Sequence, residues 1–428
     1  MINRKSAART LWASTTALTV AAFAAGAPAA AQTGAAEEAE EGTLPTIIVT
    51  AQRREEDIQE VPVSVTVFDP ETLTAINSSG QDIRALSGRV PSLLVESSFG
   101  RTFPRFYIRG LGNTDFDFNA SQPVSLVLDD QVLENPILKG FPIFDTQQIE
   151  VLRGPQGTLF GRNTPAGIVK FDTRRPQDYD EGYARLSYGR FNNINAEGAI
   201  NTALTDKVSL RFSALYQRQD DWIDNVLPGG TEEDALGGFE DVAVRAQLLA
   251  KPTDNLDILL TGQIRDLTGT ARVFRANNFT RGQEGLNANV DRDQVSADGQ
   301  YDQELTSRNA SARINWDGGP GSSISVTSFW GGDATSVGDV DGGFGANFLP
   351  PELTGPGNIP FTAETRDTVP KLQQFTQELR VASNGEGQLS YQVGLFYFDE
   401  TLEILSENFS TLGDPLNAPG GINIVVDQ

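Results

Sequence analysis

The feature that most constrains the fold of this chain is a two-residue alternation of apolar and polar side chains, repeated from about residue 180 onward. In residues 208–216 every second position is Val, Leu, Phe, Ala or Tyr, and residues 256–264 and 310–316 show similar patterns. Such a period predicts strands with one apolar and one polar face. A soluble sandwich turns the apolar face inward and a membrane barrel turns it to lipid, so the alternation alone leaves both architectures open.

The lengths of the connections favour the barrel. Ten strands are predicted at residues 181–191, 193–204, 207–223, 239–252, 255–270, 303–318, 322–338, 370–384, 389–406 and 422–428. Short turns alternate with long links near 224–238, 271–302, 339–369 and 407–421. Outer-membrane barrels have tight turns at one end and long loops at the other, whereas a Greek-key sandwich has no reason to sort its connections by length. The predicted strands also exceed the ~5–6 residues usual in soluble sheets.

Composition excludes several classes of function. The 428 residues include 57 acidic and 33 basic ones, for a net charge of −24, and no His or Cys. A nucleic-acid-binding protein needs a basic face, so nucleic acid is not an expected partner. Without His and Cys there is no Ser-His-Asp triad, no thiol nucleophile and no zinc site with N or S ligands. No paired-carboxylate motif stands out, and we expect no catalytic residues, no cofactor and no metal site.

The N-terminal residues predict export from a bacterial cytoplasm. The basic start "MINRKSAAR", a short apolar core and the small residues before Ala31 predict a signal peptide over 1–31, cleaved after Ala31. The apolar core is shorter than the ~20 residues of a membrane-spanning helix. Residues 32–50 begin with an acidic stretch without periodicity, and the sequence predicts a flexible linker there.

Residues 51–175 have a different pattern, which predicts a small domain of mixed helix and strand. Val alternates with polar residues over 61–67, and Asp69 followed by Pro70 predicts the start of a helix. Short strands are predicted within "RFYIRGLG", "VSLVLDDQVLE" and "IEVLRG". The predicted fold class is therefore an α+β domain followed by antiparallel transmembrane β-barrel strands over 180–428.

The glycine- and arginine-rich stretch "IEVLRGPQGTLFGRNTPAGIVKF" (149–171) does not fit a phosphate-binding loop. A nucleotide P-loop requires the pattern G-x-x-x-x-G-K-[ST]. Gly157 and Gly161 are only four positions apart, and Arg162 and Asn163 stand where Lys and Ser or Thr would be needed. The stretch must therefore have another role.

Four segments together resemble the signatures of the TonB-dependent outer-membrane receptor family. They are "TIIVTAQRREE", "YIRGLGN" (107–113), the stretch 149–171 and "TQELRVAS" (376–383). The resemblance implies a globular plug, here 51–175, inside a barrel of ~22 strands. It also implies active transport of a scarce ligand, most often a ferric siderophore or other iron chelate, driven by the inner-membrane proton gradient through the transducer TonB. Outer-membrane lipid and a small-molecule ligand are then the other partners.

The resemblance assigns the TonB box, the segment that the transducer's periplasmic domain grasps, to five residues, Thr46, Ile47, Ile48, Val49 and Thr50. Their β-branched side chains suit an edge strand that adds to a partner sheet, where main-chain hydrogen bonds supply affinity. The alternative is that the same residues form an internal strand of the plug.

The resemblance also assigns roles within the plug. Arg109 and Arg153 match two plug arginines that in the family meet two glutamates of the barrel and hold the plug to the wall. The alternative is that both are ordinary solvated cations. Gly154, Gly157, Gly161 and Gly167 are expected to allow close backbone approach and turns with positive φ in a plug hairpin.

Several alternatives stay open at this stage. Cobalamin or an oligosaccharide is a second substrate class for the same mechanism. A passive porin lacks the plug, and a signalling transducer carries an extra domain before the box, so both fit less well. Ten strands of about 22, and an ending "GINIVVDQ" without a final aromatic residue, predict an incomplete barrel. The chain is then a truncated receptor or a fragment without transport function.

Overall fold

The structure is a computed structural model. It describes residues 47–77, 80–227, 234–279, 284–287, 290–319, 321–343, 363–383, 389–410 and 424–427. The predicted signal peptide, the acidic linker and Thr46 lie outside this part of the chain. Within it, no helix is both long enough and apolar enough to span a membrane.

Residues 47–175, here called the plug, contain nine short strands, two α-helices and two short 3-10 helices, Ile83–Leu86 and Leu138–Gly140. The strands are β1 Ile48–Val49, β2 Glu56–Asp57, β3 Ser64–Phe68, β4 Leu93–Glu96, β5 Arg105–Ile108, β6 Val124–Leu128, β7 Gln131–Leu133, β8 Thr146–Arg153 and β9 Gly167–Thr173. Helix α1 spans Pro70–Asn77 and α2 spans Gly157–Phe160. The predicted start of α1 is confirmed, because Asp69 Oδ1 accepts a hydrogen bond from Thr72 N at 2.8 Å and so caps the helix.

The plug is organised around a five-stranded mixed sheet. Its order is β3-β8-β9-β6-β7, with β6 and β9 parallel and the other neighbours antiparallel. Two apolar clusters cover the sheet. One includes Val49, Val127, Leu152, Phe160 and Ile168, and the larger one continues into the strands that follow the plug. The plug therefore shares part of its core with the next sheet.

The rest of the described chain consists mainly of long antiparallel strands, with three short strands among them. They are β10 Glu181–Gly189, β11 Asn193–Thr205, β12 Val208–Gln219, β13 Ile223–Asn225, β14 Asp234–Leu236, β15 Phe239–Thr253, β16 Leu256–Thr270, β17 Gln294–Val295, β18 Asp302–Asp317, β19 Gly321–Asp339, β20 Ala363–Ser383, β21 Gln392–Ser410 and β22 Ile424–Asp427. Ten of them form one sheet in the order β10-β11-β12-β15-β16-β18-β19-β20-β21-β22. In the described residues β10 and β22 each have one neighbour, so this sheet is open.

The two faces of the sheet confirm the barrel interpretation. On β16 the apolar Leu260 and Ile264 are 46% and 55% exposed, while Gln263 and Arg265 on the other face are 6% and 2% exposed. β12 repeats this, with Phe212 pointing outward. A soluble sheet would bury its apolar face, whereas here the polar face meets the plug and the apolar face is left for lipid. We call the plug-facing side the inward face.

The ten strands occupy the predicted positions, with two differences in the links. β20 begins at Ala363 rather than at 370, because its first residues pair with the end of β19, where Asp339 lies opposite Glu364. Three short strands, β13, β14 and β17, form a small sheet of their own. β14, β17 and most of β13 lie in regions predicted as links, whereas Ile223 belongs to the predicted strand 207–223. Strands of two or three residues are too short to produce a readable alternation.

Candidate coupling site between the plug and the sheet

Residues 47–50 of the predicted TonB box are described, and they include the first strand of the plug. Ile48 and Val49 form β1 and pair antiparallel with β2. Val49 is fully buried in the smaller apolar cluster, whereas Ile47 and Ile48 are each 45% exposed. This is the internal strand that the sequence left open as the alternative, and the role in binding a partner sheet stays a prediction.

One edge of β1 faces away from β2. Ile58 N donates to Ile47 O at 2.9 Å, which marks these two residues as a hydrogen-bonded pair. Since hydrogen-bonded and non-hydrogen-bonded pairs alternate in an antiparallel ladder, the main-chain groups of Ile48 point to the opposite side. On that side Thr50 N and Thr50 Oγ1 both donate to Glu150 Oε1 at 2.9 Å. The free edge of β1 is therefore partly occupied by one carboxylate of β8.

Arg53 fastens the segment after β1 to both the plug and the sheet. Its side chain is 1% exposed and forms ion pairs with Asp130 of the plug at 2.6 Å and Glu378 of β20 at 3.4 Å. Its Nε donates to Leu159 O at 3.2 Å, and its guanidinium lies 4.1 Å from the ring centre of Phe160. Arg53 therefore connects the segment that follows β1 to the sheet.

Asp130 is the centre of this charged cluster. Besides Arg53, its carboxylate accepts a hydrogen bond from Arg313 Nε of β18 at 3.0 Å. Burial opposes ionisation of Asp130, but the nearby Arg53 and Arg313 guanidinium groups outweigh it and hold the pKa of this carboxyl well below its ordinary 3.8. The carboxylate is therefore charged at any pH at which the cell grows.

This pKa leads to a prediction for acid pH. Because the pKa of Asp130 is lower in the folded state, its stabilising contribution is complete above the ordinary value and is lost only as pH falls through the lower folded value. We expect the free energy of unfolding in detergent to fall with acid less steeply below pH ~4 in Asp130→Asn than in the wild type. Urea titrations at a series of pH values measure this, and parallel pH profiles would contradict the assignment.

Asp145 makes the most buried ion pair between the plug and the inward face. Arg211 of β12 donates to its two carboxylate oxygens, from Nε at 2.8 Å and from Nη2 at 2.6 Å. The side chains of Asp145 and Arg211 are 0% and 1% exposed. The remaining Nη1 of Arg211 pairs with Glu181 at 2.7 Å. A bidentate pair of this kind fixes both position and orientation.

Other polar side chains of the inward face bind main-chain carbonyls of the plug. Arg245 Nη2 donates to Phe144 O at 2.7 Å, and Gln374 Nε2 donates to Val132 O at 2.8 Å. Arg265 donates to Gly140 O and is held by two hydrogen bonds to Asp241 on the neighbouring strand. Because buried carbonyls of irregular segments need donors, these contacts allow the plug to pack without a regular ladder to the sheet.

The two arginines predicted to hold the plug to the barrel make no such contact here. Arg109 is exposed, with a φ of 53°, and Arg153 donates to Thr66 Oγ1 at 2.9 Å and to Pro91 O at 3.4 Å. Neither has an ion-pair partner among the described residues. The Nε of Arg153 is buried without a described hydrogen-bond acceptor. Their pairing with two barrel glutamates stays a prediction.

The stretch 149–171 forms a hairpin in which β8 and β9 pair and α2 connects them. Gly154, Gly161 and Gly167 have φ of 105°, 87° and 148°, whereas Gly157 is not among the residues with positive φ and begins α2. At Gly167 a side chain would be impossible, because a Cβ would lie 2.2 Å from Leu152 O. Close strand approach explains that glycine.

A cavity of about 410 Å³ lies on the side of the sheet where the long links are. It is lined by Arg275, Asn277, Asn287, Asp291, Gln294 and Ser296, among others. Beside it three carboxylates meet, Asp298, Asp339 and Asp341, with oxygens within 4.8 Å of one another. Burial, together with the neighbouring Asp339, raises the pKa of Asp298 and of Asp341. The lining is polar, which suits a ligand rich in oxygen and nitrogen.

Sequence reasoning missed most of these functional contacts. Asp145 and Arg211 are 66 positions apart, and Arg53 and Glu378 are much further apart. One signal was available, because Glu378 and Arg380 lie in "TQELRVAS", a segment singled out for its resemblance. That segment proves to be part of β20, with Arg380 paired to Glu378 at 2.9 Å.

Comparison with known proteins places this arrangement in context. The family model described as the TonB-dependent receptor plug domain matches residues 57–168. The pesticin receptor of Yersinia pestis is 30% identical over 218 residues, which is 49% of this chain and 30% of that receptor. A vitamin B12 transporter of Vibrio vulnificus is 29% identical over 184 residues, covering 42% of this chain and 28% of the transporter.

Among solved structures, the ferric yersiniabactin uptake receptor of Yersinia pestis superposes with a TM-score of 0.66 at 18% identity. The match covers 82% of this chain and 50% of that receptor. At this identity the match establishes the fold, a plug packed against barrel strands. The matched part of this chain thus spans between about a third and a half of the length of these relatives.

Proposed function

Because this chain belongs to the TonB-dependent receptor family, we propose that it serves the active transport of an iron chelate across the bacterial outer membrane. The transducer TonB would grasp residues 46–50 from the periplasm, and energy from the inner-membrane proton gradient would displace part of the plug. The signal peptide predicted over 1–31 would deliver the chain to that membrane.

The observation that carries the proposal is the connection of β1 to the wall of the barrel through Arg53. A segment that must transmit force needs a free edge for its partner and a firm attachment beyond that edge. Ile48 is 45% exposed, and its main-chain groups face away from β2. Only a few residues later, Arg53 forms ion pairs with both Asp130 and Glu378. Binding by strand addition requires nothing more of the segment than main-chain groups.

An iron chelate is the favoured ligand class. The superposed structure is that of a ferric yersiniabactin uptake receptor. The chain has no His and no Cys, so an intact chelate, whose iron already has its ligands, suits it better than a bare ion. The match to a vitamin B12 transporter makes cobalamin the second candidate.

Uptake by a deletion strain tests the substrate. We expect a strain that lacks this gene to grow more slowly when iron is limiting and to lose uptake of at least one radiolabelled ferric siderophore. Restoring the gene should restore both. Unchanged growth and iron uptake together with lost cobalamin uptake would select the second candidate, and no change in either uptake would contradict the transport proposal.

A further inference from the structure

Three carboxylates from two separate links converge beside the cavity. Asp298 lies between β17 and β18, Asp339 ends β19, and Asp341 lies in the turn that follows. One carboxylate oxygen of each lies within 4.8 Å of those of the other two. Two oxygens bound to one Ca²⁺ at ~2.4 Å can be at most ~4.8 Å apart, so the spacing already satisfies that geometric limit.

The buried state of Asp339 is the second observation that points to a ligand. Asp339 is 0% exposed, and neither of its carboxylate oxygens has a hydrogen-bond partner in the described part of the chain. No described Lys or Arg forms an ion pair with Asp339 or with Asp341. Burying a carboxylate without a hydrogen-bond donor or a cation is strongly unfavourable, and a bound cation removes that cost.

The turn that carries Asp341 is tightly built rather than loose. Gly343 N donates to Asp341 Oδ1 at 3.1 Å, and Ala276 N donates to Gly342 O at 2.9 Å. Gly343 has a φ of 107°, and a Cβ there would lie 2.1 Å from Ser296 O. The two links are therefore already in contact at the position where the three carboxylates meet.

The chemistry of the donors selects the kind of cation. All three side chains offer carboxylate oxygens, and the chain has no His or Cys to add nitrogen or sulfur. Oxygen-only sites suit hard cations such as Ca²⁺ and Mg²⁺. Ca²⁺ accepts irregular geometry and six to eight oxygens, whereas Mg²⁺ demands a near-ideal octahedron. A site built from a strand end, a turn and a separate link favours Ca²⁺.

We propose that Asp298, Asp339 and Asp341 form a Ca²⁺ site that fastens two links of the receptor to each other at the rim of the cavity. The ion joins the link after β16 to the turn after β19. Ser296 and Gly342, which neighbour the ligands in sequence, both line the cavity. The bound ion therefore holds part of the cavity wall in place, and this role does not depend on which ligand the receptor transports.

Tb³⁺ luminescence of the purified full chain in detergent tests the proposal. Tb³⁺ substitutes for Ca²⁺, and the buried Tyr301, which lies near Asp339, would sensitise its emission. We expect one saturable site from which Ca²⁺ displaces Tb³⁺. Asp339→Asn should weaken binding by at least about tenfold, since even indirect partners of metal ligands typically cost ~10–100-fold. Tyr301→Phe should reduce the emission without weakening displacement by Ca²⁺.

Asp302→Asn is the matched control, because this exposed carboxylate lies close to the cluster in sequence but does not belong to it. This variant should bind Tb³⁺ as tightly as the wild type does. If Asp339→Asn does not fold, the partly exposed Asp298→Asn supplies the same comparison. Absence of saturable binding in the wild type would overturn the proposal, as would undiminished binding in the cluster variants. Displacement by Mg²⁺ and not by Ca²⁺ would overturn the choice of ion.

Discussion

Replacing Arg211 by Ala is expected to destabilise the folded chain by about 3–5 kcal/mol, the cost of leaving a buried charge without its partner. Asp145 is 0% exposed at its side chain and receives two hydrogen bonds from Arg211. Tyr183 Oη, at 3.3 Å, is too weak a donor to replace them. Urea unfolding in detergent, followed by tryptophan fluorescence, measures the difference in the free energy of unfolding.

Arg218→Ala provides a control on the same strand. Arg218 is 52% exposed and pairs with Asp220, which is itself 37% exposed, so its loss should cost only about 0.2–1 kcal/mol. Asp145→Asn combined with Arg211→Met removes both charges and should recover most of the stability that Arg211→Ala loses. Equal effects of Arg211→Ala and Arg218→Ala, or no recovery in the double variant, would contradict the assignment of this pair as the main attachment of plug to sheet.

The sheet could be predicted from the sequence because its physical cause is local. A strand with lipid on one side and a polar interior on the other must alternate apolar and polar side chains. The exposed apolar residues Phe212 and Ile264 follow this alternation. The alternation of short turns with long links then favours a barrel over a sandwich. The cap of α1 by Asp69 was predictable for the same reason, since donor and acceptor are three residues apart.

The coupling site could not be predicted, because its contacts depend on how the plug lies against the sheet. Arg211 is one of several arginines on the polar faces of the strands, and nothing near it in sequence distinguishes it from Arg245 or Arg265. The carboxylates Asp298 and Asp339 likewise meet only because the segment before β18 comes together with the end of β19. The sequence predicted no metal site for this reason.

The second large effect, a loss of energised transport, is expected from a substitution in the predicted TonB box. Ile48→Pro removes the N–H that faces away from β2, and with it a main-chain donor for an incoming strand. The β1–β2 pairing should survive, since the hydrogen-bonded positions flank Ile48, and Val49 keeps its place in the core. We therefore expect the proline variant to fold normally and to bind ligand, but to lose energised transport almost completely.

Uptake of a radiolabelled ferric siderophore by intact cells tests this central claim most directly. The cells carry Ile48→Pro, the control Ile48→Val, or the wild type in place of the native gene, each with and without a proton uncoupler. The account predicts that wild type and Ile48→Val accumulate iron only without uncoupler, and that Ile48→Pro binds the chelate but accumulates none in either condition. Wild-type accumulation by Ile48→Pro, or accumulation that the uncoupler does not change, would contradict it.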